Sequence, residues 1–493
     1  MKLLNKLTKL VVSALMVFSM GVTAFAKGET TYTITGPADG HTYEVYQILT
    51  GDLSEDGSTL SNVKAGTNYN TEKGDVAAAA AAIAKLETNT QATATAVAGY
   101  VNFSSTPVAT LTDSNKTASV DPGYYLIKDT GATTGTTDSY STYIVTVVKD
   151  VTIKTKKDTP TFQKKIKDTN DSKANSTTDW QDSADYDIGD AVPFQLKGTI
   201  PSNYGSYTTY YYQFTDQMEP SLTFNADSVV VKVGDTTLTK VTDYTVTTGK
   251  VTSSDSYNGG DTFTVTFANL KNVSAVTAGS TITVEYTATL NENAVLGSTG
   301  NVNEAKLTYS NNPNKSGEGD NEHGETPWDN VIVFTYQTVV NKVDQDKKPL
   351  AGAEFTLYKK LADGSQKEIT AVKAESGTSF TFKGLDDGDY VLKETKTPDG
   401  YSTATDINFT ITADHDVEWT TQARTEVLNT LSGGDLGTGN VTTGTITTEV
   451  VNKKGSALPS TGGIGTTIFY VVGGMMVVVA GVLLITKKRM SNN

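Results

Sequence analysis

The chain of 493 residues contains no cysteine. That one absence excludes disulfides, thiolate zinc sites and cysteine nucleophiles together. Histidine is nearly as scarce. His41, His323 and His415 are the whole supply, and no two stand at the spacing of a His-rich metal site. Positive charge is in deficit, with 40 basic against 55 acidic residues and a formal net charge of -15. Such a surface repels nucleic acid and anionic headgroups, so nucleic-acid binding is set aside. Helical patterning is sparse as well. The single strong tract is Asp75 to Glu87, an N-cap residue followed by a run of alanines. No Ser/His/Asp arrangement or metal cluster supports an enzyme, and no cofactor is expected. The paired acids Asp386-Asp387 sit in a turn-like stretch where solvation is the simplest account.

What is abundant is Thr, Val, Tyr and Gly, the composition of strands and turns. Thr142 to Val148, Asp261 to Phe267 and Ser280 to Tyr286 alternate or run β-branched, with turn residues such as Asn258-Gly259-Gly260 between such runs. Strands without alternating long helices predict an all-β chain of tandem antiparallel sandwiches with an immunoglobulin-like architecture. The length suits three modules, read as 28–157, 158–337 and 338–453, with a linker over 454–457. The first and third share a short repeat. Gly123-Tyr124-Tyr125-Leu126-Ile127-Lys128-Asp129 aligns with Gly388-Asp389-Tyr390-Val391-Leu392-Lys393-Glu394.

The two ends set the location. Residues 1–26 have a basic start (Lys2, Lys6, Lys9), an apolar stretch from Leu10 to Val22 and the small-x-small sequence Ala24-Phe25-Ala26. This is a secretory signal with cleavage after Ala26. At the other end Leu458-Pro459-Ser460-Thr461-Gly462 precedes Ile464 to Thr486, which carries no charge and is long enough to span a bilayer. Lys487-Lys488-Arg489 opens a basic cytoplasmic tail over 487–493. The ordered triple resembles the cell-wall sorting signal of Gram-positive surface proteins. The resemblance implies that a sortase cysteine attacks the Thr461 carbonyl and expels Gly462, and that an amine resolves the acyl-enzyme. The mature product is then Lys27 to Thr461, secreted and anchored to peptidoglycan, with the transmembrane helix removed.

Period-2 patterning picks out three polar residues in the second module. Phe162, Lys164 and Ile166 share one strand face; Tyr212, Phe214 and Asp216 share another; Asn303, Ala305 and Leu307 share a third. Polar groups pointing into an apolar core are costly unless they meet. Lys165 falls on the opposite, wet face. Burial lowers a lysine's pKa toward its neutral, nucleophilic form, and a buried carboxyl can stay protonated and donate a hydrogen bond to an amide.

The third module carries Lys342-Val343-Asp344, Leu350-Ala351-Gly352-Ala353-Glu354-Phe355-Thr356-Leu357, Tyr390-Val391-Leu392-Lys393-Glu394-Thr395 and Pro398-Asp399-Gly400-Tyr401. It resembles a Cna-B-type domain, and its acid-containing segment resembles the pilin E-box. The resemblance implies an internal isopeptide bond with Lys342 as nucleophile, Glu394 as acid and Asn452 as electrophile; Asn429 is the alternative electrophile. The second module, through Thr159 to Ile166, Tyr212 to Asp216 and Asn303 to Leu307, resembles a Cna-A-like pilin domain. There the implied bond joins Lys164 to Asn303 with Asp216 as acid. The first module has Asp129 where the third has Glu394, but its first strand, Thr31 to Thr35, has no lysine, so no bond forms there by this route.

Taken together these features resemble the backbone, or shaft, subunit of a sortase-assembled Gram-positive pilus, a structural protein supporting adhesion and colonisation. The partners implied are a pilus-specific class C sortase, a housekeeping sortase, identical subunits in a head-to-tail covalent polymer, tip or base pilins, and peptidoglycan. The polymerising lysine of such subunits lies between the first and second modules. Val151-Thr152-Ile153-Lys154-Thr155-Lys156-Lys157 puts Lys156 in the motif position, with Lys154 and Lys157 as alternatives. The competing reading is a monomeric wall-anchored adhesin that binds a host or matrix ligand.

Overall fold

A computed structural model describes residues 31–490 apart from 37–39, 55–58, 87–95, 131–141, 148, 154–158, 254, 313–322, 420–422 and 456–463. Among the described residues no sheet joins a strand before residue 153 to one after 161, or a strand before 335 to one after it. The signal segment, Ala26, the Lys154–Lys157 stretch and Leu458 to Gly462 lie outside the described residues.

The N-terminal part pairs a three-stranded sheet around Tyr32–Thr35 with a larger one ordered Leu60–Ala65, Tyr43–Leu53, Gly123–Asp129, Thr142–Val147. The alanine run forms the helix Val76–Ala84. Asp75 caps it, accepting from the Ala78 N–H at 2.9 Å. Ala79, Ala80 and Ile83 pack against Tyr46, Ile48 and Tyr69. The helical tract is thus packed onto a β-core.

The middle part is a sandwich. One sheet contains Phe162–Ile166, Ala191–Thr199 and Thr281–Leu290; the other contains Asn301–Ser310, Tyr212–Met218 and Asp261–Phe267. Burial alternates strictly along Tyr212–Met218 and along Thr281–Leu290, as two inner faces packed on one core require. The C-terminal sandwich sets Tyr336–Asp344 between Ser379–Leu385 and Thr445–Asn452, against a second sheet through Glu354–Lys360 and Gly388–Lys396. Its first and last strands run parallel, with Lys342 opposite Val450 and Asp344 opposite Asn452. The repeat seen in sequence has a structural counterpart. Gly123–Asp129 and Gly388–Lys396 are both central antiparallel strands, and both bury their tyrosine, Tyr125 and Tyr390.

The two C-terminal sandwiches share a core. Val302, Ile332 and Phe334 of the middle sandwich pack into the cluster formed by Tyr336, Val340, Phe355 and Leu385. This contact overturns the solvated-turn reading of Asp386. Asp386 is fully buried, ion-paired with the equally buried Lys359, and its backbone N–H donates to Asp187 at 3.1 Å. The turn sits beneath the neighbouring sandwich. A Cβ at Gly384, whose φ is +73°, would stand 2.6 Å from the Ile188 side chain. Arg424 completes the junction with a bidentate pair to Glu219 at 2.7 Å. At the C-terminus a helix spans Ile464–Met490, and Thr467–Met490 is long and apolar enough to cross a membrane.

Candidate functional site

The structure brings Lys164, Asp216 and Asn303 together in the middle of the second sandwich, each fully buried. They arrive from three strands and both sheets. Lys164 leans in from Phe162–Ile166 in one sheet, and Asp216 and Asn303 from neighbouring strands in the other. Lys164 Nζ donates to Asp216 Oδ2 and, at 2.8 Å, to the hydroxyl of Tyr286. That hydroxyl donates to Asp216 Oδ2 at 2.6 Å and accepts from Asn303 Nδ2 at 2.9 Å. Tyr286 therefore touches all three groups. Sequence reasoning missed it, although it lies in the strand read from Ser280 to Tyr286. Ile282, Val284 and Tyr286 share the inner face, and the hydroxyl at its end was the available signal.

The surroundings are aromatic. The Lys164 amine lies 5.3 Å from the Phe194 ring centroid and 5.4 Å from that of Tyr286, and Phe263 packs edge-on to Tyr286 at 4.8 Å. Burial in this apolar setting pushes the Lys164 amine down and the Asp216 carboxyl up, against the attraction between the two. Both shifts favour the uncharged forms. Asp216 Oδ1 and Asn303 Oδ1 are buried without a hydrogen-bond partner. A proton on Asp216 Oδ1 would supply the donor that the amide oxygen lacks.

In the third sandwich Lys342 and Asn452 are also buried, on adjacent strands of one sheet. The Lys342 amine donates to the Val343 and Val450 carbonyls, each at 3.0 Å. Burial pushes this amine down as well. Glu394 reaches across from the opposite sheet, half-buried, and accepts from Asn452 Nδ2 at 2.8 Å. Its other oxygen is held by the Ala404 N–H at 2.7 Å. Asn452 Oδ1 is buried without a partner. Asn429 is exposed on a strand of the other sheet and bonds Asp416 at 2.9 Å. Lys165 stands on the outer face, paired with Asp182 at 2.6 Å. In the first module Asp129 is buried and meets His41 Nδ1 at 2.7 Å.

Lys359 is a buried lysine of another kind. Burial acts to lower its pKa, but the carboxylates of Asp386, Asp187 and Asp171 overcome it and hold the ammonium above the usual lysine range. It stays charged and serves as an ion pair.

Three family descriptions match separate parts of the chain. Residues 188–313 match "Gram-positive pilin backbone subunit 2, Cna-B-like domain", residues 337–425 match the SpaA "Prealbumin-like fold domain", and residues 450–492 match the "LPXTG cell wall anchor motif". The second module thus matches a Cna-B-like description, where its sequence pieces resembled a Cna-A-like domain. The chain is 29% identical to the trypsin-resistant surface T6 protein of Streptococcus pyogenes serotype M6, covering 39% of this chain. It spans about half the length of that relative, 46%. Among solved structures it is similar to the T6 backbone pilin of serotype M6 S. pyogenes, with 21% identity, a TM-score of 0.53, and 88% of this chain and 100% of that one covered. It is also similar to the major pilin SpaD of Corynebacterium diphtheriae, with 20% identity, a TM-score of 0.46, and 87% and 98% covered. The T6 likeness shows a shared modular fold. The chain carries pilin-type β-domains ahead of a cell-wall anchor motif.

Proposed function

We propose that this chain is the shaft subunit of a pilus that sortases polymerise and anchor to the cell wall, and that its second and third modules each seal themselves with one Lys–Asn isopeptide bond. The observation that carries this is the pairing, on one chain with an anchor motif, of two pilin-type sandwiches that each bury a lysine beside an acid and an asparagine.

The chemistry follows from the second module. Neutral Lys164 Nζ attacks Asn303 Cγ, and the Asp216 proton polarises Oδ1. As the Cγ–Nδ2 bond breaks, Asp216 passes its proton to the departing nitrogen and regains one from Nζ. One amide forms and one ammonia leaves. Tyr286 holds the three groups in register. The reaction runs once, as self-maturation. In the third module Lys342, Glu394 and Asn452 take the same roles, which requires the Asn452 amide to turn its oxygen toward a protonated Glu394.

Polymerisation joins Thr461 of one subunit to Lys156 of the next, through a class C sortase, and a housekeeping sortase passes the polymer to peptidoglycan. Tip or base pilins complete the assembly. The head-to-tail contact is heterologous and grows a filament. The test is an immunoblot of wall extract boiled in detergent, from cells that retain their sortases. The wild-type chain gives a high-mass ladder, and Lys156→Ala leaves only wall-attached monomer. A single monomer band from the wild type sinks the shaft reading in favour of the anchored adhesin. A ladder from Lys156→Ala moves the role to Lys154 or Lys157.

A further inference from the structure

Two groups of carboxylates lie at the junction between the second and third modules, and they differ in what balances their charge. Asp171, Asp187, Asp190 and Asp386 form one group, and Lys359 and Lys367 reach into it, Lys367 at 3.2 Å from Asp187 and 3.5 Å from Asp190. Its positive charge is already supplied by the protein. The other group is Asp168, Asp185 and His415, whose ligand atoms all lie within 4.8 Å of one another. Asp168 and Asp185 come from the second module, and His415 from the end of the third-module strand Ile407–His415. No lysine or arginine ion pair to Asp168 or Asp185 occurs among the described residues.

The hydrogen bonds fix which nitrogen of His415 faces the acids. The Ser183 hydroxyl donates its one proton to the Asp416 carbonyl. It must therefore accept, at 2.7 Å, from His415 Nδ1, which carries the proton. Nε2 is thereby turned toward Asp168 Oδ2, 3.6 Å away. Asp185 is 2% exposed; its Oδ2 has no close hydrogen-bond partner, and the buried Tyr336 hydroxyl is the polar group beside it. Two carboxylates and an imidazole nitrogen thus converge in a nearly dry site, and a cation between them would offset their mutual repulsion. A divalent ion with a neutral imidazole balances both carboxylates. The Nδ1–H bond to Ser183 is the outer-shell contact that orients a ligating histidine.

We propose that Asp168, Asp185 and His415 Nε2 form a binding site for a first-row divalent cation, of the zinc or manganese class, that clamps the second module to the third. One imidazole and two carboxylates suit that class better than calcium, which takes oxygen ligands only. A site built from both modules makes the ion a cross-link at the joint. That is a function separate from the two covalent bonds, which lie within single modules.

The test uses the full chain in mild detergent, stripped with EDTA and titrated with zinc chloride, manganese chloride or calcium chloride. One zinc or manganese per chain is expected by elemental analysis, with a rise in melting temperature of about 5–10 °C at hundredfold excess over Kd. Calcium leaves the melting temperature unchanged. Asp185→Asn, of the same shape, loses both the bound ion and the shift. No bound metal and no shift in the wild type overturns the proposal and leaves a proton as the occupant. A full shift retained by Asp185→Asn overturns it as binding elsewhere on an acidic surface. Should Asp185→Asn fail to fold, X-ray absorption of the zinc-loaded wild type decides. Outer-shell scattering from a histidine ring supports the site, and a shell of oxygen alone refutes it.

Discussion

In the second module the lysine and asparagine belong to opposite sheets, whereas in the third they belong to adjacent strands of one sheet. The same three residue types are therefore desolvated in two ways. Lys164 is enclosed by aromatic rings, and its amine meets Asp216 and the Tyr286 hydroxyl. Lys342 rests its amine on two backbone carbonyls, and its acid is half-buried at the sandwich margin. The comparison separates two demands that one site tends to confuse. Keeping a lysine neutral requires burial without enough carboxylate around it to hold the ammonium, the condition that Lys359 fails. Activating the amide requires an acid held against it, and the second module builds that acid into the core while the third brings it from the edge.

The largest expected effect breaks this comparison at its acids. Asp216→Ala and Glu394→Ala should each leave one bond unformed, so that intact mass retains one ammonia relative to the wild type, which has lost two. Each lost cross-link closes a loop of more than about 100 residues and so removes about 5 kcal/mol, by the loop-closure argument made for disulfides. The two variants should then part. Asp216→Ala also leaves the buried, neutral Lys164 amine without its acid partner, a further loss of about 1–3 kcal/mol. Lys342 keeps its two carbonyls when Glu394 is removed. Calorimetry should show the deeper loss of melting temperature in Asp216→Ala. A bond found intact by peptide mapping in either variant removes the role given to that acid.

A smaller effect sharpens the comparison at Tyr286, which has no counterpart identified in the third module. Tyr286→Phe keeps the ring packing on Phe194 and Phe263 and deletes one hydroxyl. Three buried groups lose a shared partner, for about 1–3 kcal/mol. Bond formation in the second module should slow, read as a mixture of masses shortly after synthesis, while third-module bond formation keeps its pace. Equal slowing in both modules would mean that Tyr286 acts on stability alone.

How much of this was legible in sequence differs by scale. Alternation placed Lys164, Asp216 and Asn303 on inner faces because a half-buried strand writes its orientation every second residue. Asp75 was legible as a cap for a similarly local reason. The junction between the second and third modules was not. Asp386 looked solvated because its neighbours in sequence form a turn, and Asp187 and Ile188, which bury it, stand some 200 residues away. His415 looked isolated because no second histidine lies near it, yet its company is Asp168 and Asp185 from another module. Contacts between modules depend on how whole sheets are set against each other, and no short periodicity encodes that.

The smallest expected effect concerns which asparagine the third module uses. Asn429 and Asn452 both lie on strands near the end of the domain, and in sequence either could serve. Their environments differ in ways that decide the chemistry. Asn452 is 1% exposed, two residues along the strand from the residue opposite Lys342, so both side chains lie on one face of the same sheet. Its amide meets Glu394 at 2.8 Å. Asn429 sits in the opposing sheet, exposed, with its amide nitrogen on Asp416 at 2.9 Å. Water around an exposed amide competes for any proton that would polarise it, and the burial that pushes the Lys342 amine down is missing there. Asn429→Ala should therefore keep both bonds and change stability by less than about 0.5 kcal/mol, as surface substitutions do. Asn452→Ala should retain the Lys342 amine unreacted. Chemical labelling of unfolded protein makes the distinction at the lysine itself: Lys342 is blocked in Asn429→Ala and free in Asn452→Ala. The reverse pattern would transfer the electrophile to Asn429, and it would require the strand Leu428–Ser432 to leave its pairing with Ile407–His415 before the bond could form.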